Sequence, residues 1–268
     1  MYRASEYIDM NSHEEKKMGQ KIVEILWTGG MDSTFRMCQL SRQDVTIKSY
    51  YLSAGKRKSE EYELEAMNSI KERLEKDPAT KAVILEPEYV DMSERTKDEA
   101  LVNSLQAMLK YSHLGDQYIY IGSFSKDHDG IELSIHKDDK ALLFINKLGG
   151  FYRDEEGRKR LKKEGSDENL VKLFGYYSFP ITEYSKVDMK KEFVAMGLED
   201  VMNMTWFCHA PINGKPCGKC NPCMYTVEEG MAYRLDSEAM IRYRKQKRKK
   251  RIYRMKQMLK RILKRADQ

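Results

Sequence analysis

Two consecutive glycines at a strand-to-helix junction constrain this chain more than any other feature. The segment Trp27-Thr28-Gly29-Gly30-Met31-Asp32-Ser33-Thr34 follows an apolar run over 21–27 and opens an amphipathic stretch over 32–40. A glycine pair allows a backbone turn closed to residues carrying a Cβ, and it lets amide N–H groups converge on an anion. The following helix adds its positive N-terminal end, and Thr28, Ser33 and Thr34 add hydroxyls suited to phosphate oxygens. A plain tight turn, with Asp32 or Ser33 as helix cap, is the simpler alternative. The position of the motif favours the phosphate loop. It lacks the Gly-Lys-Ser/Thr ending of the Walker A loop, which argues against a kinase-like or GTPase-like machine.

Periodicity supplies the surroundings of that loop. Short apolar or aromatic runs predict strands at 21–27, 45–52, 81–85, 117–121 and 175–181, while apolar residues spaced by three and four predict helices at 32–40, 60–76, 96–113 and 186–197. Alternation of this kind predicts an α/β fold, a Rossmann-like, mainly parallel sheet with helices on both faces and ligands at the carboxyl ends of its strands. The charged stretch 151–169 reads as a solvated surface excursion, with a lid over the site as the alternative.

Four of the five cysteines fall within sixteen residues, as Cys208, Cys217, Cys220 and Cys223. Three of them sit at two-residue spacings around Gly218, the arrangement of a tetrahedral four-thiolate zinc site. Four protein ligands leave no open position, so the metal is expected to be structural. A redox pair or an iron–sulfur cluster uses similar spacings. Cys38 lies on the apolar face of the helix after the glycine loop and reads as core; His209, beside Cys208, is not needed as a ligand.

The net charge of +6 is unevenly spread across the 268 residues. Residues 241–268 hold 14 Lys/Arg and one acid, so the other 240 carry about −7. Ile252, Met255, Met258, Leu259, Ile262 and Leu263 recur at helical spacing within that run, which predicts a basic amphipathic helix. An acidic protein, an anionic membrane or nucleic acid would suit it, as would packing onto the acidic body. The first 20 residues are polar and acidic, without the apolar core of a signal peptide, and no run is long enough for a membrane span. The expectation is a cytoplasmic protein with reduced thiols.

The glycine loop resembles the Ser-Gly-Gly-x-Asp-Ser signature of the PP-loop ATP pyrophosphatases, with Thr28 in place of the first serine. Together with Thr205-Trp206-Phe207-Cys208 and the Cys-Gly-x-Cys-x-x-Cys that follows, it is similar to the 7-cyano-7-deazaguanine synthase family over about residues 20–235. The resemblance implies a ligase. ATP would adenylate 7-carboxy-7-deazaguanine, ammonia would form the amide, and a second adenylation would give the nitrile, with AMP and pyrophosphate released.

By the same resemblance, Trp27 to Thr34 bind ATP with Mg²⁺, and Asp32, Ser33 and Lys186 are catalytic candidates. Lys186 also reads as an ordinary solvated first-turn lysine. Asn103, Asp127 and Gly130 are what remains of the substrate side, where the family's Pro-Asp-Cys-Arg and an arginine before the third helix are missing. A guanidinium is the usual bidentate partner of a carboxylate, so its loss keeps the acceptor open. Related chains in antiphage defence join the activated base to a protein amine, and a macromolecular acceptor, protein or nucleic acid, is the alternative function. A non-catalytic ATP-binding assembly module is the third. The resemblance also implies a homodimer. The expected division is a polar extension over 1–20, an ATP-binding domain over 21–205, a zinc element over 206–235 and the basic tail over 236–268.

Overall fold

The computed structural model describes residues 20–55, 57–111 and 113–266, so the polar extension expected over 1–20 lies outside the described residues except for Gln20. The chain divides into two compact units, one of Met1–Lys56 and Glu63–Trp206, the other of Arg57–Tyr62 and Phe207–Gln268. Among the described residues no helix is long and apolar enough to cross a membrane.

The first unit is built on a parallel sheet. Strand β1 (Lys21–Leu26) pairs in parallel with β2 (Val45–Ser53), residue for residue from Lys21↔Val45 to Leu26↔Tyr50. The far edge of β2 takes two short parallel partners in succession, β3 (Val83–Ile84) at Thr46–Ile47 and β4 (Glu88–Asp91) at Tyr50–Ser53. Helix α1 (Met31–Ser41) makes the crossover from β1 to β2, and α2 (Glu60–Glu75) the one from β2 to β3. Parallel neighbours need such crossovers, because a hairpin turn returns the chain antiparallel.

Strand residues alternate between the two faces of a sheet. Leu26, Tyr50 and Leu52 on one face belong to a core shared with α3 (Glu99–Leu109), α4 (Gln117–Ser125), α5 (Lys140–Leu148) and α6 (Glu168–Phe174). The intervening Ile25, Trp27, Ile47 and Tyr51 are also buried. On their side the Tyr51 hydroxyl donates to Glu63 of α2 at 2.7 Å, and Phe35 of α1 meets Phe193 of α7 (Lys186–Ala195) at 5.5 Å between ring centroids. Helix α8 (Glu199–Met204) also packs on α1.

Beyond β1 the sheet continues through single residues. Glu132 bridges Ile25, with Leu26 N–H donating to Glu132 O at 3.1 Å and Glu132 N–H to Glu24 O at 2.9 Å; Ser178 then bridges Glu132. The expected strand at 175–181 is therefore reduced to a bridged, extended segment that ends at Pro180, which has no N–H to continue a ladder.

The expected strand at 117–121 is a correction: these residues open α4. Tyr118-Ile119-Tyr120-Ile121 is apolar without alternation, and such a run fits a buried strand or a buried helix equally. Packing decided between them: Tyr118, Ile119, Gly122 and Ser125 are buried at helical spacing, with Phe124 buried beside them. The place beside β1 went to 131–133 instead.

The expected helix at 96–113 begins later, because the Asp98 side chain accepts from Leu101 N–H at 3.2 Å and caps α3. The stretch 151–169 is not wholly solvated. It forms an antiparallel hairpin of β5 (Phe151–Arg153) and β6 (Lys159–Leu161), with Arg160 and Leu161 buried. The second unit contains α9 (Asn221–Glu228) and the 30-residue α10 (Ser237–Ala266).

One ion pair joins α1 to the thin side of the sheet. Arg36 Nε and Nη2 donate to the two carboxylate oxygens of Glu132 at 2.7 and 2.6 Å, and both side chains are largely buried. Glu132→Ala strands the guanidinium and is expected to cost about 3 kcal/mol, read as a lowered midpoint of urea unfolding.

Candidate functional site

The glycine loop is held at both ends before any ligand is considered. Trp27, fully buried, donates its indole N–H to Thr34 Oγ1 at 3.0 Å and so ties the end of β1 to the first turn of α1. Gly29 has φ +65°, and a Cβ there would stand 2.8 Å from the carbonyl oxygen of Glu63 in α2. Glycine is required twice at this position, by conformation and by space. The Gly29 carbonyl accepts from Trp206 N–H at 2.9 Å, a contact that nothing in the sequence signals beyond the family motif.

Gly30 is the N-cap of α1, in an extended conformation with no side-chain cap. The first N–H groups of α1 therefore remain available at the positive end of its dipole. Of the residues assigned to ATP, Thr28 is exposed and Asp32 partly exposed, while Trp27, Gly29, Met31, Ser33 and Thr34 are buried. Thr34 Oγ1 accepts the Trp27 indole N–H and so braces the loop, while its own O–H is left to donate.

The structure brings Lys186 to this loop. Its ammonium donates to Asp32 Oδ1 across 154 residues of sequence. Two local causes place it there. Ser185 and Asp188 form a reciprocal capping box that fixes the start of α7, with Asp188 Oδ2 accepting from Ser185 N–H at 3.0 Å. Tyr184 and Phe193, on either side of that start, pack edge-on against Phe35 of α1 at 5.0 and 5.5 Å. An ammonium beside a helix N-terminus with uncapped amides is an arrangement suited to a polyanion.

The substrate-side candidates make their contacts elsewhere. Asn103 lies on the exposed face of α3. Asp127 is exposed and paired with Arg95 at 2.7 Å. Gly130 donates its N–H to Tyr176 O at 2.7 Å, and a Cβ on it would stand 2.9 Å from Arg158 Nη1. These contacts join neighbouring loops and do not involve Asp32 or Lys186.

In the second unit the sulfurs of Cys208, Cys217, Cys220 and Cys223 all lie within 4.8 Å of one another, and the four could hold a metal ion. None is in a disulfide, and the sulfurs of Cys217 and Cys223 lie 3.9 Å apart and those of Cys208 and Cys220 4.0 Å apart. A tetrahedron with metal–sulfur bonds of about 2.3 Å has edges of about 3.8 Å, so the donor set fits a zinc-sized centre. Backbone N–H groups of Cys217, Lys219 and Cys220 point at the sulfurs at 3.1–3.4 Å, as expected around thiolates. The crowded sulfurs divide their protons unequally: hydrogen bonds from Cys208 and Cys223 hold Cys220 low, and the bond to Cys220 pushes Cys208 up to about 12. In the first unit, burial pushes the Cys38 thiol up, in keeping with a core role.

Gly218, between the ligands, has φ +71°, and a Cβ there would meet the carbonyl oxygen of Ala239 in α10 at 2.0 Å. Gly218→Ala should therefore disturb the cysteine knuckle, with bound metal falling below one equivalent by elemental analysis. Gly29→Ala should destabilise the first unit by about 2 kcal/mol from the left-handed conformation alone, seen in urea unfolding.

No protein-family model and no curated protein sequence matches the chain. Among solved structures, it is similar to an NMN synthetase from Francisella tularensis at 10% identity and a TM-score of 0.36, over 90% of this chain and 92% of that one. It is similar to an NAD+ synthetase from Burkholderia pseudomallei at 12% identity and a TM-score of 0.28, over 93% and 88%. Both scores are too low to bear on fold or activity.

Proposed function

We propose that this chain is an ATP-dependent carboxylate-adenylating ligase of the 7-cyano-7-deazaguanine synthase type. The observation that carries the reading is the meeting of Lys186 with Asp32 at the uncapped N-terminus of α1, directly after Gly29 and Gly30.

In this reading the amides of the loop and of the first turn of α1 bind the β- and γ-phosphates of ATP. A carboxylate oxygen of 7-carboxy-7-deazaguanine attacks the α-phosphorus; the new bond is acyl–O–P, and the bond to the β-phosphate oxygen breaks with pyrophosphate leaving. Ammonia then attacks the acyl carbon and AMP departs. A second ATP activates the amide oxygen, and loss of AMP with the amide protons leaves the nitrile. Lys186 neutralises charge gathering on the phosphates, and Asp32 holds the ammonium in place until ATP arrives. Mg²⁺, carried in with ATP and within reach of Asp32, would supply further charge neutralisation. No nucleophilic side chain is needed.

The four cysteines would hold a structural Zn²⁺ with no open coordination position. A second reading, activation of a different heterocyclic acid, is favoured by the surface pairing of Asp127 with Arg95, which leaves that side chain engaged away from the loop.

The test is mass spectrometry of products after incubating the protein with Mg-ATP, ammonium and 7-carboxy-7-deazaguanine. AMP, pyrophosphate and the nitrile are expected. Lys186→Ala should lower turnover about 10²–10³-fold, and Asp32→Ala should abolish pyrophosphate release. Unchanged release in both variants would overturn the site, whereas ATP binding without the nitrile would favour the second reading.

A further inference from the structure

The strongest unassigned surface is the cationic stretch of α10. Eight of the ten residues from 242 to 251 are Lys or Arg. The helix is fixed at its start: Ala239 and Tyr243 are buried, Arg242 Nε donates to Cys217 O at 2.9 Å, and Lys250 Nζ donates to Asn221 Oδ1 at 2.9 Å. These contacts hold it against the cysteine knuckle and define which side faces inward. Arg244, Lys245, Arg248, Lys249 and Arg251 are exposed, and none has a carboxylate partner among the described residues.

We propose that this stretch of α10 is a binding surface for double-stranded DNA, seated in the major groove and held by phosphate contacts. Three features select that partner. At 100° per residue the cations at 244, 245, 247, 248, 249 and 251 cover an arc of about 200°, wider than one flat surface can touch. A groove walled by two phosphate strands meets both flanks of a helix, and the B-form major groove, about 12 Å wide, admits a helix about 10–12 Å across. The deep, narrow major groove of A-form RNA does not.

An interfacial membrane helix needs an apolar face along its length. Here no exposed apolar side chain lies between 242 and 251: Ile241 precedes the cationic stretch, Ile252, Met255 and Met258 follow it, and its one aromatic residue, Tyr243, is buried. Beyond Lys and Arg, which bind phosphate and guanine alike, base-reading side chains are scarce. Gln246 is the only uncharged polar amide in the stretch, and it lies on the half-buried side. Binding is therefore driven by counterion release and tolerant of sequence.

The experiment is fluorescence anisotropy of the full chain with a labelled duplex DNA of mixed sequence. With about six phosphates contacted, affinity should fall about 10³-fold between about 50 and about 200 mM salt. The triple variant R244E/R248E/R251E should flatten the salt slope by at least about 3, with circular dichroism and metal content unchanged. K245Q/K249Q, a milder change that tests the same face, should flatten it by about 2. A salt slope and affinity equal to the parent's in K245Q/K249Q would overturn the proposal. So would tighter binding to duplex RNA or to phosphatidylserine vesicles than to DNA. None of these residues belongs to the ATP site, so pyrophosphate release by the variants separates this inference from the proposed activity.

Discussion

The turn at Gly29 is the constraint on which the first unit depends. Its left-handed backbone lies 2.8 Å, measured from an imagined Cβ, from a carbonyl of α2, and its own carbonyl is bonded to Trp206. A single glycine therefore sets the exit of β1, the approach of α2 and the anchoring of residue 206 together. The neighbouring clamp of Trp27 on Thr34 fixes where α1 begins. Once that start is fixed, the amides of its first turn point at the place to which α7 brings Lys186.

Charge is arranged around these anchors in two different ways. In the first unit cations are paired: Lys186 with Asp32, Arg36 with Glu132, and Arg160 with Asp129. Pairing keeps largely buried guanidinium and ammonium groups from being stranded in a poor solvent for charge. On α10, Arg244, Lys245, Arg248, Lys249 and Arg251 stand in water without a carboxylate partner among the described residues, where mutual repulsion is screened and tolerable. Unpaired charge of one sign held on a rigid helix is available to a polyanion, whereas the paired charge of the first unit is committed to structure until a ligand displaces it.

The glycine loop between β1 and α1 was legible because its pattern is local: glycine, hydroxyl and carboxylate types in one short segment between a strand and a helix. The cysteine cluster was legible for the same reason, its four sulfurs being brought together largely by turns within sixteen residues. Lys186 was named from the family resemblance, but its partner was not, because a contact across 154 residues leaves no trace in local pattern. Asn103 and Asp127 carried no such local logic, and the fold turned both to the surface.

The sequence by itself determined the β–loop–α unit at residues 21–41, the four-cysteine knuckle and the concentration of positive charge near the end of the chain, since each depends on residues close in sequence. Only the tertiary structure decided that 117–125 is a helix and that 131–133 lies beside β1. The side chains of 118–121 are apolar in either conformation, and the choice between them rests on what packs against Leu101, Leu173 and Phe174. The tertiary structure likewise decided which hydroxyls of the loop face inward, and that Asp32 meets an ammonium from α7. Those outcomes depend on distances between distant segments, set by the packing of Phe35, Tyr184 and Phe193 and encoded in no single stretch of the chain.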